Sequence, residues 1–382
     1  MVACAAISAQ QPAATLTALA VLSADTFTTG TPSGAWLRAD ALGTPQFFSQ
    51  PVQGVSALWP AAGDEWWALS DNGFGAKANS SDYLLRIYRL RMEWGSGATA
   101  GTVALQSFEQ LADPDRKLPF PITREATSER WLTGADLDPE SMVRMADGSF
   151  WIGDEFGPFL LHFAADGRLL EPPYEVPGLR SPDHPHVPPA DAGHVSAATV
   201  RRSRGFEGLA LFGDALYAVI EAGTGPNADA ALIYEFDIAK RAFTGVSWRF
   251  ALASADHAVT EFVSLAPVSP SCGSRFLAIE RDGGHGPAAK LKRVHEVHLA
   301  GSALTSHVVA DLLVIAKPRR IAGLPERFRF PFITTEAVWP TAVDEIVLAN
   351  DNNFPAGGGR DGAVRDATEL IRLHLPRPLC GT

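Results

Sequence analysis

Acidic side chains recur along this chain at places where they could act together. From Asp136 to Gly167 the sequence reads DLDPESMVRMADGSFWIGDEFGPFLLHFAADG, with Asp138 and Glu140 ahead of one apolar run and Asp154-Glu155 closing the next. Glu207 with Glu221, Glu261 with Glu280, and Glu336 with Asp351 repeat that placement, and Asp71, Asn72, Asn352 and Asn353 add further oxygen donors. Carboxylate and amide oxygens favour Ca2+ or Mg2+ over metals that prefer softer ligands. Crowded like charges also call for a counter-charge. A cation held there would polarise a phosphoryl or carbonyl oxygen and acidify a bound water, leaving Glu155 or Glu207 as general base. The expected metal ligands are Asp71, Asp138, Glu140, Asp154, Glu221, Glu280, Glu336 and Asp351, with Arg281, Lys317 and Asn353 on the substrate side. The competing explanation is structural: Asp-Gly and Asp-Asn are common turn formers, and a Glu at the head of a strand can simply bond backbone amides. Turns alone, however, do not require Glu at that position.

What must position these groups is a repeated sheet unit. Strand, Asp147-Gly148 turn, strand, acidic loop and strand follow one another, the Asx-Gly pairs supplying the positive φ of tight hairpins. Related units begin near Gln53, Phe206, Glu261 and Glu336, making five copies. One antiparallel sheet cannot bury both of its faces alone, so such repeats imply a radial array. The expectation is an all-β fold, a β-propeller of five or six blades, with Leu16–Leu22 completing the last blade. In a hairpin the start of one strand and the end of the next share an edge. The acidic pairs should therefore meet at one mouth of the channel. The first copy has Gln53-Gly54-Val55-Ser56 in place of Glu, which leaves the carboxylate ring open on that side.

The rest of the chain narrows the alternatives. Of 382 residues, 32 are basic and 43 acidic, a net charge of -11 that argues against nucleic acid as partner. The expected partner is a small-molecule phosphoester or other ester, met by a monomer. Nine Trp and 21 Phe suit packing between blades. Cys4, Cys272 and Cys380 contain no C-x-x-C, which excludes a zinc ribbon; a Cys272–Cys380 disulfide stays open. Residues 1–15 read as the remnant of an export segment and linker, ahead of one propeller domain over 16–382. Val2-Ala3-Cys4 is similar to a bacterial lipobox, so export with a lipid anchor stands beside an ordinary N-terminus. No run is long enough to span a bilayer.

Among the loops, Lys317, Arg319 and Arg320 form a basic cluster that is either a solvated charge run or an anion holder. His184, His186 and His194 sit in a Pro-rich loop and read as solvated. His295 and His298 should face opposite sides of a strand. No G-x-S-x-G occurs, so a hydrolase elbow is unsupported.

Asp138-Pro139-Glu140, Phe150-Trp151-Ile152-Gly153-Asp154-Glu155, Gly205-Phe206-Glu207-Gly208-Leu209-Ala210, Ile279-Glu280-Arg281-Asp282 and Asn350-Asp351-Asn352-Asn353-Phe354 resemble the signatures of the phytase-like, "esterase-like activity of phytase" family. The resemblance runs from about Gln53 to Leu375. It implies a propeller, usually exported from bacteria, whose repeated Glu and Asp carry phosphoester or phosphodiester hydrolysis. By matched position it points to Asp138, Glu140, Asp154, Glu155, Glu207, Glu221, Glu280, Glu336 and Asp351. Two other expectations remain beside it. One is a lactonase-like esterase with a single Ca2+. The other is a non-catalytic sugar- or polymer-binding propeller with Phe74, Phe156 and Phe354 as its platform.

Overall fold

The computed structural model describes residues 12–187, 198–223, 225–317, 321, 323–360, 362 and 364–381; Cys4, His194, Arg319, Arg320 and the export-like N-terminus lie outside them. Within the described residues the repeated hairpins form five four-stranded blades, three of them separate sheets and two joined edge to edge within one ten-stranded sheet. Blade I comprises Val55–Pro60, Glu65–Ser70, Arg86–Glu93 and Gly101–Gln110, and blade II Pro139–Arg144, Phe150–Asp154, Phe159–Phe163 and Tyr174–Glu175. Blade III comprises Phe206–Phe212, Ala215–Ile220, Ala230–Asp237 and Ala242–Ala251. Blade IV comprises Ala258–Ser264, Arg275–Arg281, Lys292–Ala300 and Ala303–Asp311. Blade V takes Thr335–Ala342, Glu345–Asn350 and Thr368–His374 from the C-terminal part and its outermost strand, Thr15–Leu22, from the other end of the chain. The first strand of each blade packs against the first strand of the next, and blade V returns to blade I, closing the circuit of a β-propeller.

Burial follows from that geometry. The first strand of each blade faces the channel and its neighbours and is buried along almost its whole length, whereas the outer strand Ala242–Ala251 is mostly exposed. Aromatic rings fill the wedges between sheets. Phe262 and Phe276 stack at 4.6 Å beside blade III's Tyr217, and Trp151, Phe206 and Phe236 join blades II and III. Each such ring is worth about 1.5–3 kcal/mol of burial.

The ring is tied shut by both ends of the chain. Thr15–Leu22 pairs antiparallel with Thr368–His374 and touches Gly101–Gln110 of blade I in parallel, so it has no free edge over that contact. Cys272, before the second strand of blade IV, is bonded to Cys380 just beyond blade V. Among the described residues, no helix is long and apolar enough to cross a membrane.

The detail that matters most for function is a register shift at the head of every first strand. The ladders skip one residue between Val55 and Ala57, Pro139 and Ser141, Phe206 and Gly208, Val259 and Glu261, and Thr335 and Ala337. Such a bulge takes one side chain out of the strand's alternation and re-aims it. The bulged residues are Ser56, Glu140, Glu207, Thr260 and Glu336.

Candidate functional site

The bulges make the five blades comparable residue by residue. Opposite the position two before each bulge stands a residue at or just past the end of the second strand. Asp71 N–H donates to Gly54 O, Glu155 to Asp138, Glu221 to Gly205 and Asp351 to Thr334, while in blade IV Ala258 faces Arg281. Four blades thus bring a carboxylate to this place and blade IV brings a guanidinium.

These residues line a cavity of about 130 Å³ at the mouth, together with Asp138, Glu140, Glu207, Glu336, Asn72, Asn353, Ser203 and Thr334. The sequence-predicted residues Asp71, Asp138, Glu140, Glu155, Glu207, Glu221, Glu336, Asp351, Arg281 and Asn353 are therefore gathered at one place. Blade I is open only at the bulge. Its Ser56 hydroxyl donates to Glu336 Oε2 (3.3 Å), and its acid is supplied by Asp71, which Gly54 admits because a Cβ there would lie 2.1 Å from Asp71 Oδ1.

Three expected residues are not at the mouth. Asp154 lies one position short of Glu155 and accepts the Asp138 and Gly157 amides, both at 2.7 Å, bracing the loop that carries Asp138. Glu280 likewise lies one short of Arg281, on the other side of the strand. It accepts the Ala253 amide (2.6 Å) and meets His257 Nδ1 (3.1 Å) and His295 Nε2 (3.2 Å). Lys317 donates to the Leu324 carbonyl and does not line the cavity. Glu261, paired with Glu280 in the sequence reading, follows the bulge in place of occupying it and accepts the Phe262 amide. His184 is buried against Phe159, not solvated. Phe74, Phe156 and Phe354 are 6%, 3% and 3% exposed, so they offer no open sugar platform.

The mouth carboxylates are held by neighbours that leave oxygens facing the cavity. Asn72 donates to Asp138 through its backbone (3.1 Å) and its side chain (2.7 Å), and Gly205 N–H donates to Glu155 Oε1 (3.1 Å). A Cβ at Gly205 would lie 2.4 Å from Glu155 Cα, so glycine is what lets blades II and III approach here. Glu221 Oε1 takes Arg281 Nη2 (2.6 Å) and is also paired with Arg204. Arg204 had no place in the sequence reading; its position directly before Gly205-Phe206-Glu207 was the available signal.

Burial and mutual repulsion push these acids up. Asp71, Glu140, Glu155, Glu207 and Glu336 all lie well above the ordinary carboxylate range, burial first and neighbouring carboxylates second. Burial also raises Asp138 and Asp351 to about 6 and Asp154 to about 7. Burial alone would raise Glu280 too, but His295, the Ala253 amide and His257 together outweigh it and hold Glu280 at about 2.

The donor set fits a hard divalent cation. In two triads, Asp138–Glu140–Glu155 and Glu155–Glu207–Glu221, one oxygen from each residue lies within 4.8 Å of the others, and Glu155 belongs to both. Carboxylate oxygens at this spacing suit Ca2+ or Mg2+.

Comparison with known proteins agrees with the sequence resemblance. Residues 50–354 match the family described as "Phytase-like: Esterase-like activity of phytase". A 35-residue stretch is 46% identical to an "Uncharacterized secreted protein" of Arthroderma benhamiae, a match spanning 9% of this chain and 7% of that one. Similar solved structures include a luciferin-regenerating enzyme, at 11% identity and a TM-score of 0.38 over 84% of this chain and 77% of that one. Another is virginiamycin B lyase from Staphylococcus aureus, at 9% and 0.38 over 84% and 94%. A third is the PQQ-bound aldose sugar dehydrogenase of Streptomyces coelicolor, at 11% and 0.37 over 96% and 100%. Likenesses this loose carry no argument about activity. The family match covers most of the chain and includes all five acid-bearing motifs up to Phe354, and on that ground the protein belongs to the phytase-like family.

Proposed function

We propose that this protein is a hydrolase of phosphoesters or phosphodiesters, working at the acidic mouth with Ca2+ or Mg2+ and located outside the cytoplasm. The observation that carries the reading is the pair of carboxylate triads sharing Glu155, with a guanidinium in the same cavity. Asp138, Glu140 and Glu155 would hold the cation, supported by Asp71, Glu336 and Asp351 around the rim. A bound cation would supply Lewis acidity and offset negative charge that burial otherwise suppresses. Glu207, which belongs to one triad only, is the better general base, because Glu155 is shared between both. It takes the proton of the attacking water as the water oxygen bonds to phosphorus, the phosphorus–oxygen bond to the leaving group breaks, and the departing oxygen takes a proton from solvent water and leaves as an alcohol. Arg281 and Asn353 orient the anionic group, guanidinium being suited to two oxygens at once. The Cys272–Cys380 bond supports an oxidising compartment, as does the name of the secreted relative.

The test is metal analysis of the purified full chain, then Glu140→Gln and Glu207→Gln assayed on an ester panel with and without chelator. We expect chelation to abolish phosphoester turnover, Glu207→Gln to lower kcat by about 100-fold or more, and Glu140→Gln to weaken cation affinity. Activity and thermal stability both unchanged by chelation would sink the reading. Turnover of lactones but not phosphoesters would replace it with the lactonase-like one.

A further inference from the structure

The two triads differ in one respect that the carboxylate pattern does not require. No basic side chain pairs with Asp138, Glu140 or Glu155 among the described ion pairs; Asp138 is bonded by Asn72 and Glu140, and Glu155 by the Gly205 amide and Glu207. In the second triad, Glu221 already receives two guanidiniums, Arg281 and Arg204, on the same oxygen, Oε1. A cation joining Glu155, Glu207 and Glu221 would meet two guanidiniums already balancing the charge of one of its three ligands. Arg281 is also short of a partner. Its side chain is 10% exposed, it lines the mouth cavity, and its Nε is buried with no acceptor. A guanidinium that binds through one edge position and leaves the adjacent N–H unmet is ready for a two-oxygen acceptor.

We infer that Glu221 is a switchable ligand: an oxyanion entering the mouth draws Arg281 and Arg204 away from it, and the freed carboxylate completes a second divalent-cation site with Glu155 and one oxygen of Glu207, whose other oxygen is left to take the water proton. The inference rests on the reading of the mouth as a cation site and adds an order to it. The first site loads by itself. The second loads together with a phosphate-type anion, which exchanges one carboxylate for the oxyanion at each guanidinium and the guanidiniums for a cation at Glu221. Binding linkage is reciprocal, so the anion must tighten the second cation by the same factor as the cation tightens the anion.

Calorimetry reads this without turnover. Ca2+ is titrated into the cation-stripped full chain with and without inorganic phosphate, the solution pairing of the two ions being subtracted from a protein-free run. One cation should bind without phosphate. With phosphate a second should appear, tightened about tenfold or more, within the usual range of such couplings. Glu221→Gln should leave one cation under both conditions. Arg204→Met, at the more exposed edge of the pair, should let the second cation bind with less dependence on phosphate; it also keeps the test decisive if Glu221→Gln folds poorly. Equal stoichiometry and affinity with and without phosphate would overturn the switch and leave the cation site standing. No cation binding at all would overturn both.

Discussion

Stripping divalent cations should make this fold less stable as the pH rises, the reverse of an ordinary acid-sensitive protein. Asp138 and Asp351 move from 3.8 to about 6 and Asp154 from 3.8 to about 7, with Asp71, Glu140, Glu155, Glu207 and Glu336 also raised. Each keeps its proton in the fold to a higher pH than in the unfolded chain. Through these groups the fold binds more protons between about pH 4 and 7, and their contribution to stability is full below pH 4 and falls as pH rises through 6 and 7. For Asp138 alone a rise of roughly two units corresponds to about 3 kcal/mol. A chain of 382 residues unfolds with an entropy near 0.8 kcal/mol/K, so that loss lowers the melting temperature by about 4 °C. Ca2+ should reverse the trend, since it favours the ionised carboxylates, and at about 100 times its Kd it returns about 2.7 kcal/mol. The assay is thermal melting from pH 4.5 to 7.5 with chelator and with excess Ca2+. A chelated protein whose stability is flat or rising over that range would refute the reasoning, as would equal stabilisation by Ca2+ at both ends.

Three further outcomes follow from particular contacts. Glu280→Gln should cost about 2 kcal/mol near neutral pH, read by denaturant unfolding, while cation affinity stays unchanged. Because Glu280 is held at about 2 against an ordinary 4.5, that cost should shrink as pH falls below 4.5. Gly205→Ala should weaken Ca2+ binding about tenfold, measured by calorimetry, since its Cβ would sit 2.4 Å from Glu155 Cα and force blades II and III apart. Cys272→Ser should lower stability by up to about 4–5 kcal/mol for a bridge closing 108 residues. The wild-type protein should show a similar loss in reductant, and Cys272→Ser should show none.

Much of this was legible in the sequence for a simple reason: Asx-Gly turns and short apolar runs repeat, and a repeat that cannot bury its faces alone must close into a ring. The closing strand near Leu16 was visible as the missing fourth strand of the last copy. The acids were harder. Alternation along a strand makes a one-residue slip equivalent to changing sides, and the bulge at each first strand introduces such a slip without any mark in composition. Glu261 looks like the match of Glu207, yet the bulge in blade IV falls on Thr260, and Glu261 turns between blades. The same slip exchanges Asp154 for Glu155 and Glu280 for Arg281. Long loops hid the rest. His184 reads as solvated because prolines surround it, but Phe159 covers it.

The break in blade IV is what makes the proposed chemistry plausible on physical grounds. A ring with a carboxylate at every bulge and every second-strand end would bind cations well and repel the anionic groups that a phosphoester hydrolase must admit. In this chain the bulges of blades I and IV carry Ser56 and Thr260, and blade IV puts Arg281 where its neighbours put acids. The mouth thus sets Arg281 of blade IV, beside Glu221 and its second partner Arg204, across the ring from the carboxylates Asp71, Asp138 and Glu140 of blades I and II. In the proposed reaction a phosphoryl group between the two would be held by Arg281 on one side and by the cation-binding carboxylates on the other, with Glu207 beside it. Arg281→Glu, which would restore the uniform ring, separates the two uses of the site. It should preserve or raise the number of cations bound while abolishing phosphoester turnover. Retained turnover in that variant would mean that the guanidinium only balances charge.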